Sequence, residues 1–170
     1  MVLREGLFIG TCVFLAVLFE LTLLSRLGIP GATPDIVVVS IVAISFAAGP
    51  LLGAIAGFAA GILLDCSPSS DTLVGVNAII YLIIGFTAGF WLDPRDRKLP
   101  VMIGIAALST AGAAFGTAVV DTVLGGERVN WTEVPWITLS AALYGALLSA
   151  LIIPLVARLA RTLLTEIPVS

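Results

Sequence analysis

Four acidic side chains lie within or beside long apolar stretches of the sequence: Glu20, Asp35, Asp65 and Asp121. Paired carboxylates can perform acid–base catalysis, and acids at membrane depth often carry protons or ions. The spacing of these four gives no convincing catalytic pair, and each lies toward the end of its apolar stretch. We therefore expect polar structural or partner-binding roles for them.

Other residues suited to chemistry are scarce. The chain has no histidine, which removes the usual proton shuttle at neutral pH and the commonest metal ligand. Cys12 and Cys66 lack a metal-binding spacing, and we expect no disulfide between them. Because there is also no serine–histidine constellation and no phosphate-binding loop, the sequence predicts a protein that is not an enzyme and carries no cofactor or metal.

The composition indicates the class of protein. Of its 170 residues, 59% are hydrophobic and only 11% are charged, and the mean hydropathy is +1.17. A soluble domain has about a quarter of its residues charged. The formal net charge of −3 offers no basic patch for nucleic acid. We therefore predict an all-α polytopic membrane protein with a single domain over residues 1–170.

Apolar segments long enough for membrane helices recur along the whole chain. The first of them lacks the cleavage site of a signal peptide, so we expect it to remain as a span. The six predicted spans cover residues 6–24, 36–48, 50–64, 74–92, 99–124 and 134–157.

The apolar stretch over residues 36–64 is predicted to form two helices, not one. As one helix, residues 36–64 would extend for roughly 44 Å, which exceeds a hydrocarbon core of about 30 Å. Gly49-Pro50 is typical of a helix stop followed by a restart. We therefore predict a short hairpin of two helices, and their length leaves open whether each crosses the bilayer fully.

The distribution of basic residues favours six spans with both termini in the cytoplasm. In that topology six basic residues lie inside and two outside, whereas five spans would give a poor balance. The inner set is Arg4, Arg95, Arg97, Lys98, Arg158 and Arg161, and the outer set is Arg26 and Arg128.

The stretch GPLLGAIAGFAAGILLDC, residues 49–66, has a glycine at every fourth position. In water an interior glycine costs a helix about 1 kcal/mol relative to alanine. In lipid, small residues at this spacing let helix backbones approach closely. This edge could pack within the chain's own bundle or dock a partner's transmembrane helix. Helix packing is predicted at Gly49, Gly53, Gly57, Gly61, Gly85 and Gly89.

The four acids have different expected roles. Asp35 follows a proline and is a candidate N-cap for the second span. Asp65 ends its helix, where an acid opposes the dipole, so we expect hydrogen bonds to Ser67, Ser69 or Ser70. Glu20 is either a polar anchor or a side chain that reaches the interface. Asp121 has no evident local role.

Residues 34–89 contain an ordered set of motifs: Pro34-Asp35, the glycine-rich segment 49–65, Gly75-Val76-Asn77-Ala78, and then Tyr81, Gly85 and Gly89. This set resembles the rod shape-determining protein MreD family. In that family a proline–aspartate opens the second span, and a Gly-Pro precedes a glycine-rich helix that ends in aspartate. The C-terminal half of the chain is matched only by its hydropathy.

The resemblance implies a non-enzymatic scaffold in the bacterial inner membrane. MreD-like proteins bind the bitopic protein MreC, and they support cell shape and lateral peptidoglycan synthesis alongside MreB, RodA and a class B penicillin-binding protein. By this resemblance Asp65 would fix the outer end of the third span, with Asn77 and Tyr81 as its polar neighbours.

An alternative function follows from the fold that the resemblance implies. The family resembles the six-helix substrate-binding subunits of energy-coupling-factor vitamin transporters, which bind a vitamin in an outward-facing cavity. Trp131, Trp136 and Asn130 are the candidates for such a pocket, although tryptophans here are also typical of an interfacial belt. A third possibility is a membrane protein whose glycines serve only its own packing.

Overall fold

The computed structural model describes residues 2–22, 34–67, 74–91, 98–125 and 129–164. All regular structure in these ranges is helical, which agrees with the predicted all-α class. The six helices are α1 (Val2–Thr22), α2 (Ile36–Ala48), α3 (Pro50–Asp65), α4 (Val76–Trp91), α5 (Leu99–Val123) and α6 (Val134–Leu164).

Helix α2 is the centre of the bundle. Its side chains are buried continuously from Val37 to Phe46, and α2 contacts all five other helices. A helix that is hydrophobic on every side must be surrounded by other helices or by lipid. The run IVVVSIVAISFAA therefore explains why this short helix lies inside the bundle and the others lie around it.

The predicted break after α2 is present. Helix α2 ends at Ala48 and α3 begins at Pro50, with Gly49 alone between them. Gly49 has φ = +93°, a conformation that side-chain-bearing residues rarely adopt, and proline is well suited to the first turn of the next helix. The Gly49 N–H donates to the Ser45 carbonyl at 2.9 Å, and the Gly49 carbonyl accepts from Gly53 at 3.0 Å.

Consecutive helices run antiparallel, so the bundle has two ends. Helices α1, α3 and α5 end where α2, α4 and α6 begin, and we call this the Asp65 end. Contacts across the bundle fix this arrangement: Gly61 packs on Ala78 of α4, and Gly116 packs on Ile80. The other end holds the α2–α3 turn and the start of α5.

Some helix ends differ from the predicted spans. Helix α1 begins at Val2, and α6 continues to Leu164 rather than stopping at residue 157. Hydropathy marks the apolar part of a helix, whereas backbone hydrogen bonding can continue into a polar segment that contains Arg158. Helix α4 starts at Val76, not at residue 74, because Gly75 has φ = +102°.

Two stretches of the described residues are long and apolar enough to cross a membrane, Leu99–Val123 and Val134–Ala160. The other four helices are apolar but shorter. Large apolar side chains also cover the outside of the bundle: Leu7 is 73% exposed, Trp91 71% and Leu151 71%. Such a surface is typical of helices that contact lipid rather than water.

Candidate functional site

Gly53, Gly57 and Gly61 of α3 form one edge that faces α4; we call this the glycine edge. A Cβ atom on Gly53 would lie 2.7 Å from the Gly85 carbonyl oxygen. On Gly57 it would lie 2.6 Å from the Tyr81 carbonyl carbon, and on Gly61 it would lie 2.6 Å from the Asn77 carbonyl carbon. These distances are too short for any side chain, so the two helix backbones are in direct contact.

Helix α4 contributes glycines to the same contact. A Cβ atom on Gly85 would lie 2.6 Å from the Gly53 carbonyl carbon, and one on Gly89 would lie 2.6 Å from Pro50 Cα. The glycine edge is therefore covered by α4 within this chain. The hypothesis that this edge docks a partner's helix is wrong, and the alternative of packing within the bundle is correct.

Gly49 is a second correction. No atom lies within 4 Å of the position of its Cβ, so Gly49 takes no part in the close helix contact. Its role is the positive φ of the α2–α3 turn. The four-residue spacing suggested membership of the edge, but Gly49 lies just before the helix that carries it.

Ser45 links the central helix to this contact, and it was not predicted from the sequence. Its hydroxyl is buried and lies 2.8 Å from both the Ile41 and the Gly85 carbonyl oxygens. A Cβ atom on Gly53 would lie 2.8 Å from Ser45 Cβ. A serine in a largely apolar helix, next to a glycine-rich one, was the available signal.

Asp65 joins the end of α3 to the start of α4. Its carboxylate is only 4% exposed and accepts hydrogen bonds from the Gly75 N–H at 2.7 Å and the Ala78 N–H at 3.3 Å. It also accepts from the Asn77 side-chain amide at 2.8 Å. The first N–H groups of a helix lack partners within it and favour an anion. Asp65 therefore caps α4, although it opposes the dipole of its own helix.

One expected neighbour of Asp65 is confirmed, and the structure adds others. Asn77 is a neighbour as the resemblance implied, and the backbone N–H groups of Gly75 and Ala78, at the start of α4, supply further hydrogen bonds. Ser69 and Ser70, two of the expected partners, lie outside the described residues.

Asp35 and Tyr81 make the second part of the cluster. Asp35 is the N-cap of α2, as predicted: its carboxylate accepts from the Val38 N–H at 2.7 Å. Its other oxygen accepts from the Tyr81 hydroxyl at 2.9 Å, which ties α2 to α4. Burial raises the pKa of the Asp35 carboxyl, and the hydrogen bonds from Val38 and Tyr81 act in the opposite direction.

Glu20 completes the cluster from α1. Its carboxylate accepts a hydrogen bond from the Ile36 N–H at 2.9 Å. Glu20 and Asp35 therefore both accept hydrogen bonds from N–H groups at the start of α2, which have no partners within the helix. Glu20 is therefore a polar anchor within the bundle, which was one of the two roles expected for it. We call the five converging residues the capping cluster: Glu20, Asp35, Asp65, Asn77 and Tyr81.

Asp121 is not brought to the capping cluster. It lies near the end of α5 and lines a groove of about 330 Å³ together with Asn130 and Glu133, which precede α6. Asn130 donates to the Glu133 carboxylate at 3.1 Å. Glu133 was not singled out from the sequence because its segment is short and polar.

The carboxylates of the capping cluster act as hydrogen-bond acceptors for helix N-termini. Each carboxylate accepts from backbone N–H groups at a helix start, and two also accept from side chains of α4. Within the described ranges, no group of three or more His, Cys, Asp and Glu side chains is placed to hold a metal ion. The arrangement fixes four helices relative to one another at the Asp65 end.

Tyr81→Phe is expected to lower the free energy of unfolding by about 1.5–3 kcal/mol, because it removes a buried hydrogen bond to a carboxylate. The measurement is thermal or denaturant unfolding of the purified protein. Tyr144→Phe on α6 is the matched control, since no hydrogen bond of the Tyr144 hydroxyl is found among the described residues. Equal stability of the two variants would show that the Tyr81–Asp35 contact does not stabilise the fold.

No family model, no curated protein and no solved structure matches the chain.

Proposed function

We propose that the chain is a six-span membrane protein. The apolar outer surface and the scarcity of charge support this placement, since 11% charged residues cannot cover a water-facing bundle of six helices. Helices α2, α3 and α4 have 13, 16 and 16 residues and are short for a bilayer. Local thinning of the bilayer and shielding of α2 by its neighbours accommodate such lengths.

The proposed orientation has the Asp65 end outside and both termini in the cytoplasm. Five acidic residues lie at the Asp65 end, namely Glu20, Asp35, Asp65, Asp121 and Glu133, whereas the two basic residues with described side chains, Lys98 and Arg158, lie toward the other end. This asymmetry supports the positive-inside arrangement. Six of the basic residues used in the prediction lie where the structure describes no side chains or no residues: Arg4, Arg26, Arg95, Arg97, Arg128 and Arg161.

The proposed function is that of an MreD-type scaffold in the bacterial inner membrane. The observation that carries it is the convergence of residues 34–89: the motif acids, the motif tyrosine and the motif glycines form one contiguous unit across α2, α3 and α4. Because these motifs contact one another in the fold, their occurrence together in the sequence has a physical reason. The proposed partner is an MreC-like bitopic protein, with MreB, RodA and a class B penicillin-binding protein as further components of the assembly.

The vitamin-binding alternative has one feature in its favour, a groove of about 490 Å³ that includes Trp131. Seven of its eight lining residues are apolar, and Thr138 is the exception. A site for a polar vitamin needs several converging polar groups. The groove suits an apolar occupant better, so we place this function second.

Co-expression tests the scaffold proposal. The tagged chain and the MreC-like protein of the same genome are co-expressed, solubilised in mild detergent and purified by the tag. We expect both chains in a fixed ratio, and we expect no thermal stabilisation by a panel of vitamins. Recovery of the folded chain alone would contradict the scaffold function. Stabilisation by one vitamin at saturating concentration would support the alternative.

A further inference from the structure

Two carboxyl groups from different segments of the chain meet at the start of α2. The Ile36 N–H donates to Glu20 Oε2 at 2.9 Å, and the Val38 N–H donates to Asp35 Oδ1 at 2.7 Å. The Val37 N–H, which lies between these two donors, faces both carboxyl groups. Glu20 and Asp35 therefore lie side by side at one helix end, and we call them the acid pair.

The surroundings of the acid pair supply little positive charge. A helix N-terminus is equivalent to about half a positive charge, whereas two ionised carboxylates carry two negative charges. From α3 and α4, the titratable groups beside the acid pair are Asp65 and Tyr81. From α5 and α6, those described at this end are Asp121 and Glu133, which line a separate groove. The basic side chains that the structure describes lie toward the other end of the bundle: Lys98 and Arg158.

Two like charges in such a part-buried position repel each other, and one of the two groups then keeps its proton. Burial also raises the pKa of the Asp35 carboxyl, which shows that the site disfavours charge. Because the two groups interact, they titrate as a unit. The geometry therefore favours one negative charge on the acid pair rather than two.

The hydrogen bonds indicate which member of the acid pair holds the proton. Both oxygens of Asp35 accept, one from the Val38 N–H and the other from the Tyr81 hydroxyl at 2.9 Å. An ionised carboxylate accepts at both oxygens, whereas a protonated carboxyl carries an O–H on one of them. Among the described residues, Glu20 accepts within hydrogen-bond distance only at Oε2. This leaves Glu20 Oε1 to carry the proton.

We propose that the acid pair holds one proton, on Glu20, and that this proton keeps the end of α1 attached to the start of α2. With the proton in place, both acids accept from the start of α2 without mutual repulsion. Without it, two negative charges face the same N–H group, and the end of α1 moves away from α2. The remainder of α1 packs through apolar side chains such as Phe8 and Val13, which do not titrate.

The acid pair is thus a pH-sensitive attachment point within the bundle. The shared proton does not depend on the proposed scaffold function or on the MreC-like partner. In the orientation proposed above the acid pair lies toward the outside, so the attachment of α1 would respond to external pH. That last step rests on the proposed orientation.

Glu20→Gln tests the proton, because glutamine has the shape of the neutral acid and cannot ionise. An ordinary glutamate has a pKa of about 4.3, so Glu20 is ionised in the unfolded chain at neutral pH. Folding then binds one proton, and the stability of the wild type is lost as the pH rises. The unfolding constant of the purified full chain is measured from about pH 6 to about pH 9.

We expect Glu20→Gln to be at least as stable as the wild type, with an advantage that grows by up to about tenfold in the unfolding constant per pH unit. Asp121→Asn is the control for lost negative charge and should keep the pH dependence of the wild type. Equal pH dependence in Glu20→Gln and the wild type would overturn the proposal. So would a Glu20→Gln chain that is less stable or fails to fold, because Glu20 would then act as a charged group.

Infrared spectroscopy locates the proton, since the C=O stretch of a protonated carboxyl is separate from the carboxylate bands. At neutral pH we expect a protonated-carboxyl band in the wild type and in Asp121→Asn that Glu20→Gln removes. A band that persists in Glu20→Gln but is lost in Asp35→Asn would place the proton on Asp35 and overturn the assignment. Absence of the band from the wild type would overturn the shared proton itself.

Hydrogen exchange measures the attachment of α1. At about pH 9 the N–H groups of residues 36–38 should exchange faster in the wild type than in Glu20→Gln, because the wild type has lost its proton. The N–H groups of Gly75 and Ala78, which Asp65 caps, should not differ between the two chains. Equal exchange at residues 36–38 would contradict the attachment. Because none of these measurements involves the MreC-like partner, this inference and the scaffold function can fail separately.

Discussion

Replacing Gly57 with leucine is expected to prevent stable folding of the bundle. A Cβ atom at Gly57 would already meet the Tyr81 backbone, and it would lie 3.0 Å from the Leu82 nitrogen. Backbone atoms cannot rotate away, so α3 and α4 would have to separate. Overpacking of a core lowers the free energy of unfolding by about 1–3 kcal/mol. A clash with backbone atoms is expected to cost at least the upper end of that range.

The measurement is the yield of monodisperse protein in detergent together with its unfolding midpoint. Gly10→Leu and Gly112→Leu are matched controls, because no atom lies within 4 Å of a Cβ at either position. Both controls should retain the stability of the parent protein. If Gly57→Leu were as stable as the controls, the direct backbone contact between α3 and α4 would be wrong.

The second large effect is expected for Asp65→Ala. The substitution leaves the Gly75 and Ala78 N–H groups and the Asn77 amide without the carboxylate that accepts from them. Each buried donor that loses its acceptor costs about 1–3 kcal/mol. We expect Asp65→Ala to lower the free energy of unfolding by about 3–5 kcal/mol, which is a large share of the stability of a typical domain.

Asp121→Ala is the control for Asp65→Ala, since both remove one acid from the Asp65 end. It should change the unfolding midpoint little, because no hydrogen bond of Asp121 is found among the described residues. Protease digestion adds a local measurement: cleavage in the α3–α4 connection should increase in Asp65→Ala and not in Asp121→Ala. Equal effects of the two substitutions on stability would contradict the capping role of Asp65.

The local features were predictable from the sequence. Gly49-Pro50 specified the break between α2 and α3, because its two residues have strong and opposite backbone preferences. Asp35 was predicted as a cap because the helix start that it satisfies follows it directly in the chain. In both cases the cause and its effect lie within a few residues of each other.

Features that depend on a distant segment were not predictable in the same way. The spacing of Gly53, Gly57 and Gly61 defined one helix edge but carried no information about what faces it. Asp65 finds its partners ten or more residues later, at the start of another helix. Ser45 contacts Gly85, which lies forty residues away in sequence. Only the packing of α2, α3 and α4 brings these groups together.

The proposed placement in the membrane is tested most directly by the chain's own two cysteines. Cys66 is exposed at the Asp65 end, and Cys12 is half-buried within α1. Intact spheroplasts are treated with a membrane-impermeant maleimide, and Cys66→Ser is the control. We expect Cys66 to react before any permeabilisation and Cys12 to react only after denaturation. Labelling of Cys66 only after permeabilisation, or recovery of the chain in the soluble fraction with both thiols labelled, would contradict a six-span bundle with its Asp65 end outside.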